Sequence, residues 1–174
     1  MLELLLSLFL LLLFLLAISI IWRVNARKYI NSGTVASAYD EWTQDKLLER
    51  LWGEHIHLGF YPSGGGNIDF RKAKVQFVHE LVKWSGLLEL PKGSRILDVG
   101  CGIGGSSRIL AKYYGFNVTG ITISPAQVKR ARELTPDGLS CDFQVMDALD
   151  LKFEDGSFDA VWSVEAGAHM NDKN

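Results

Sequence analysis

The chain has little cysteine: Cys101 and Cys141 are the only two in 174 residues, too few for a disulfide framework. Cys101 also stands among glycines, where a bridge would distort a tight turn, so a reducing compartment fits. An excess of one charge is equally lacking, since 18 basic residues against 20 acidic ones leave a net charge of −2. With no basic stripe interleaved with aromatics, nucleic-acid binding is excluded as a leading reading. His55, His57 and His79 have no cysteine cluster or compact pairing beside them, so no metal site is expected. Internal repeats are absent, and the leucine-rich N-terminus is the one low-complexity tract.

That tract is the first positive feature. From Leu4 to Trp22 the sequence is apolar except at Ser7 and Ser19, and at about 1.5 Å per helical residue it can cross a hydrocarbon core of about 30 Å. A cleaved signal would carry its positive charge first. Here only Met1, Leu2 and Glu3 precede the run, while Arg23, Arg27 and Lys28 follow it. The expectation is an uncleaved anchor over 1–28, with a single transmembrane helix at about 4–22. The basic flank would keep everything beyond it on the cytoplasmic or stromal side, with Trp22 and Tyr29 at the interface.

Residues 29–90 read as a cap or lid region. Tyr39, Trp42, Trp52, Phe60 and Tyr61 are set among charges, and Pro62-Ser63-Gly64-Gly65-Gly66 reads as a flexible break. Beyond it, Val75, Phe77, Val78, Leu81 and Val82 follow helical spacing over 70–84. Strand and helix signals then alternate: strand 95–99, helix 106–114, strand 117–123, helix 125–134, and strands 141–145 and 158–164. Ser124-Pro125-Ala126-Gln127 supplies an N-cap, a proline at the first helical position and the Gln of a capping box. The alternation predicts an α/β fold, a parallel sheet with helices on both faces, in strand order 3-2-1-4.

The chemistry concentrates after the first strand. In an open parallel sheet the ligand lies beyond the carboxyl ends of the strands, where the first helix starts. Gly100, Gly102, Gly104 and Gly105 stand there, and glycines let a ligand approach the backbone. Their spacing also satisfies the dinucleotide pattern G-x-G-x-x-G, so the motif alone does not discriminate. Dinucleotide domains carry an acid at the end of the second strand for the ribose, where this chain has Thr122. Asp98, two residues before Gly100, has no work beside a pyrophosphate but suits a ligand bearing an amine and a sulfonium. These two features favour S-adenosylmethionine over a nicotinamide cofactor.

Four segments together, Trp52 to Tyr61, Leu97 to Gly105, Gly120 to Gln127 and Trp162 to Met170, resemble the tocopherol and plastoquinone biosynthesis methyltransferases. The nearest group is the cyanobacterial type that methylates 2-methyl-6-phytyl-1,4-benzoquinol and its solanesyl counterpart. The resemblance implies a Rossmann-like class I methyltransferase sheet using S-adenosylmethionine. It implies that Asp98, Gly100, Gly102 and Gly104 hold the methionine part, Thr122, Ile123 and Gln127 surround the ribose and adenine edge, and Asp147 and Ala148 reach the adenine. Tyr39 and the loop Gly59 to Tyr61 would close as a lid. Thr122 departs from the acid of the general pattern, so ribose recognition would be weaker or shared with Gln127. Glu165 and His169, at the end of the fourth strand, are the candidates for a catalytic base or substrate-orienting group.

The implied reaction is C-methylation of a lipid-soluble, membrane-resident prenylated quinol, and the implied partners are that quinol and the membrane. Two alternatives stand: a methyltransferase of a sterol or fatty acyl lipid, and a nicotinamide-dependent oxidoreductase. Retention of S-adenosylmethionine or of NADH separates the last from the others. Since only four strands are readable, 91–174 is expected to be the first half of a catalytic domain, and the 174-residue chain alone is expected to be inactive. No oligomeric state follows from the sequence.

Overall fold

The computed structural model describes residues 2–25, 32–62 and 68–170. Helices α1 (Leu2–Asn25), α2 (Ser32–Gln44), α3 (Leu47–Trp52) and α4 (Phe70–Trp84) precede the sheet. Strand β1 (Arg95–Val99) leads through a glycine turn into α5 (Gly105–Tyr114). Then come β2 (Asn117–Thr122), α6 (Pro125–Leu134), β3 (Cys141–Val145) and β4 (Ala160–Ser163). The strands are parallel in the order β3-β2-β1-β4, as the sequence predicts.

Register explains the core. Ile96 pairs with Val118 and Ala160, and Asp98 with Gly120 and Trp162, so these residues share one face of the sheet. Against that face α4 and α5 pack Val78, Val82, Ile109 and Leu110, while α6 adds Val128 and Ala131 around Phe143. On the opposite face Leu97, Val99 and Ile121 are covered by Met146, Phe153, Phe158 and Met170 from the segments around β4. Helices on both faces were expected. Among the described residues the core contacts of the three helices α4, α5 and α6 all lie on one face.

Helix starts are set locally. Asp69 accepts from the backbone N–H of Arg71 and Lys72 and so caps α4. Ser124 accepts from Gln127 N at 3.1 Å, with Pro125 at the first turn of α6. The reciprocal half of the expected capping box is absent, because the Gln127 side chain turns to Thr122 instead.

The transmembrane expectation is corrected here, and with it the single-pass membrane localisation and the anchor at 4–22. Residues Leu2–Asn25 are helical, yet among the described residues no helix is long and apolar enough to cross a membrane. The flanking Arg27, Lys28 and Tyr29, and residues 63–66 of the expected flexible break, lie outside the described residues.

Candidate active site

A cavity of about 680 Å³ opens at the carboxyl ends of β1, β2 and β4. Nine of the ten residues expected around a cofactor border it: Tyr39, Asp98, Gly100, Gly102, Thr122, Ile123, Gln127, Asp147 and Ala148. The tenth, Gly104, does not. It is buried, and a Cβ there would lie 2.6 Å from the Phe143 ring, so its role is to let the turn close on β3.

The turn depends on backbone that side-chain-bearing residues rarely adopt. Gly102 has φ +56°, and an added Cβ would meet nothing within 4 Å, so the turn presents bare backbone to the cavity. Gly100, at φ +75°, is covered by Ala166 from the segment after β4.

Asp98 is 2% exposed and accepts a 2.5 Å hydrogen bond from Ser107 Oγ. Burial pushes its carboxyl up to about 6, against a smaller downward pull from Ser107. No described cation pairs with it. A buried carboxylate without a counter-charge, beside a backbone-lined opening, fits a ligand that brings its own positive charge.

At the end of β2, Thr122 donates to Gln127 Oε1 at 2.7 Å and accepts from Ser124 N at 3.3 Å. The two side chains expected near the ribose therefore act as one unit. Asp147 Oδ1 accepts from Leu149 N at 2.9 Å, which fixes its turn, and Asp147 borders the cavity as well.

The residues ahead of the sheet are tied over this cleft by contacts that sequence spacing does not reveal. Asp40 Oδ1, on α2, accepts from Ser124 Oγ at 2.5 Å and Ala126 N at 3.0 Å, at the start of α6. Glu49, on α3, takes both Nε and Nη2 of Arg130 at 2.8 and 2.7 Å. Arg108 Nη2 meets Glu54 at 2.6 Å. Tyr39 stands edge-on to Trp42 with ring centroids 5.3 Å apart, and burial raises its phenol.

The catalytic candidates fare differently. Glu165, at φ +56°, borders the cavity, and its Oε1 accepts from Leu58 N at 3.0 Å. It thereby ties the loop 53–62 to the end of β4. His169 closes the short 3-10 turn Gly167–His169, and its side chain lies outside the described residues.

Residues 96–174 match the family model described as a methyltransferase domain. Over these residues the chain is similar to that family. It is 61% identical over 153 residues to the 2-methyl-6-phytyl-1,4-hydroquinone methyltransferase of Synechocystis sp., covering 88% of this chain and 48% of that protein. The resemblance drawn from Trp52 to Met170 is thus borne out. The chain spans about half the length of the curated relatives it matches.

Among solved structures, the [4+2]-cyclase SpnF is similar with TM-score 0.66 and 32% identity, over 76% of this chain and 48% of that one. The Haemonchus contortus phosphoethanolamine N-methyltransferase 2, in complex with S-adenosylhomocysteine, is similar with TM-score 0.55 and 27% identity, over 72% of this chain and 26% of that one. The methyltransferase domain and a neighbour holding S-adenosylhomocysteine bear out S-adenosylmethionine as the cofactor. That SpnF is a [4+2]-cyclase shows how little the fold alone says of the reaction.

Proposed function

We propose that the chain binds S-adenosylmethionine in this cavity and serves the C-methylation of a prenylated 1,4-hydroquinone. The observation that carries the reading is the 61% identity to the Synechocystis hydroquinone methyltransferase. Bound there, the cofactor supplies an electrophilic methyl group. The rest is the work of this chain's own residues.

Asp98 receives the cofactor's ammonium, and ionises as that charge arrives. The bare backbone at Gly102 admits the methionine part, with Gly100 next to it under Ala166, and the Thr122–Gln127 unit lies beside the ribose. Ile123, Asp147 and Ala148 form the adenine side of the wall. Tyr39 and the segment tied by Glu49 and Glu54 cover the cleft and keep water out.

Ring methylation requires electron density on the carbon ortho to the phenol oxygen, so the phenol must give up its proton as the carbon attacks. The methylated carbon must then lose its hydrogen as a proton while the oxygen regains one, restoring the aromatic ring. Glu165 is the proposed acceptor of that proton. Its Oε1 is held by Leu58 N, while Oε2 has no hydrogen bond to the described residues. A positioned base of this kind contributes roughly a hundred- to ten-thousandfold in rate.

The test is methyl transfer from labelled S-adenosylmethionine to 2-methyl-6-phytyl-1,4-hydroquinone, with a sterol and a fatty acyl lipid as competitors. It is run on the 174-residue chain and on a fusion in which the remainder of the Synechocystis relative follows Asn174. Label on the hydroquinone ring in either supports the reading. Label on the competing lipids, or on nothing in both, contradicts it.

A further inference from the structure

The loop across the glycine turn carries two histidines that none of the roles above uses. His55 and His57 are each 8% exposed, and both border the cavity. Their hydrogen bonds fix where the protons sit. A carbonyl can only accept, so His57 Nδ1, 2.7 Å from Leu58 O, carries a proton. In a neutral ring the other nitrogen is then an acceptor. His57 Nε2, 3.1 Å from His55 Nδ1, therefore takes the proton that His55 Nδ1 donates. His55 Nε2 is left as a bare lone pair, and no described residue bonds it.

Both rings are held neutral. Burial, then repulsion from His57, Arg108 and Lys74, brings His55 down to about 3, and burial also lowers His57. The surroundings hold the His55 ring in place. Its Cε1 abuts Gly105, where an added Cβ would lie 2.8 Å away, and its backbone carbonyl accepts from the buried Lys74 Nζ at 2.8 Å.

We propose that His55 Nε2 is a fixed hydrogen-bond acceptor in the cavity wall, selecting a ligand group that can donate, an ammonium or a hydroxyl, with His57 as its positioning residue. The proposal deepens the methyltransferase reading and rests on it for the ligands. Each reactant carries one such donor, the α-ammonium of the cofactor and the phenolic hydroxyl of the hydroquinone. An oxidised quinone offers only carbonyl oxygens, and two facing acceptors cannot pair. Where the hydroxyl is the donor, the site takes the hydroquinone and rejects the quinone.

The experiment is ¹⁵N NMR of the histidine rings in the 174-residue chain, with binding followed in parallel by calorimetry. His55 is expected as the Nδ1–H tautomer with Nε2 unprotonated. The probes are S-adenosylhomocysteine, then 2,6-dimethyl-1,4-hydroquinone and its quinone. An Nε2 shift with S-adenosylhomocysteine assigns the ammonium, and one with the hydroquinone but not the quinone assigns the hydroxyl. His55→Phe should weaken the assigned ligand roughly tenfold, the worth of one bond to a charged or strongly polar donor.

His57→Gln keeps the lock, because its amide accepts from His55 Nδ1–H and donates to Leu58 O. His57→Phe releases it, and protonated Nε2 appears. Should His57→Phe not fold, the tautomer in the unaltered chain and in His57→Gln decides. Protonated Nε2 in the free chain, or an unmoved Nε2 while calorimetry shows both ligands bound, overturns the proposal. Failure of S-adenosylhomocysteine to bind overturns the methyltransferase reading and the ammonium half of the proposal with it, failure of the hydroquinone to bind overturns the hydroxyl half alone, and the tautomer is read independently.

Discussion

Gly102→Val lowers the affinity for S-adenosylhomocysteine by about ten- to a hundredfold. The residue holds φ +56°, where a β-branched side chain costs the fold about 1–2 kcal/mol whether or not a ligand is bound. The loss of affinity comes from the new methyl groups, which project into the space the ligand's methionine part would occupy, at about 1–3 kcal/mol of overpacking, or roughly ten- to a hundredfold. No protein atom lies within 4 Å of the added Cβ, so the fold should tolerate the change better than the ligand does. Isothermal titration calorimetry on the folded variant reads the loss, and undiminished affinity would remove the glycine turn from the binding site.

Asp98→Asn moves stability and binding in opposite directions. In the folded chain the Asp98 carboxyl is raised from 3.8 to about 6 by burial. The folded state thus keeps this proton over a range where the unfolded chain has lost it. Its contribution to stability is full below about pH 4, falls as pH rises through 6, and is absent above that. The interval corresponds to on the order of 3 kcal/mol. Asparagine keeps the hydrogen bond from Ser107 and removes the penalty, so the variant should melt higher at pH 7.5 and not at pH 4.

Binding behaves differently because an ammonium needs the charged form. Losing a charge-assisted contact lowers S-adenosylhomocysteine affinity about ten- to a hundredfold at pH 7.5. In the unaltered chain the affinity should fall as pH drops through 6, since binding must then expel the Asp98 proton. Melting curves and calorimetry at both pH values check the pair of signs. A variant that binds as tightly as the parent would place the ammonium elsewhere.

Much of the sheet was legible because it is written in short-range pattern. The apolar runs at 95–99 and 141–145 have the same bounds as β1 and β3, and Ser124-Pro125 marks the start of α6. Gathering of the site followed from topology. Once β1 and β2 are parallel neighbours, Asp98, Gly100 and Thr122 must end at one edge, and they border one cavity.

What escaped are contacts between residues far apart in sequence. Asp40 with Ser124, Glu49 with Arg130, Glu54 with Arg108 and Leu58 with Glu165 join segments that no periodicity connects. A charged residue on a short helix reads as a solvated face until its partner is known. The capping box shows the same limit, since Gln127 had a local partner in pattern and a better one in Thr122. The histidine pair was visible as residue types, but its proton order depends on Leu58 O and on ring geometry. The apolar N-terminal run reads as an anchor by composition, whereas among the described residues no helix is long and apolar enough to cross a membrane.

The most direct test of the cofactor assignment is calorimetric titration of the 174-residue chain with S-adenosylhomocysteine and, separately, with NADH at pH 7.5. The prediction is saturable one-to-one binding of S-adenosylhomocysteine and no heat from NADH. Retention of NADH, or silence with S-adenosylhomocysteine from a folded chain, would contradict it.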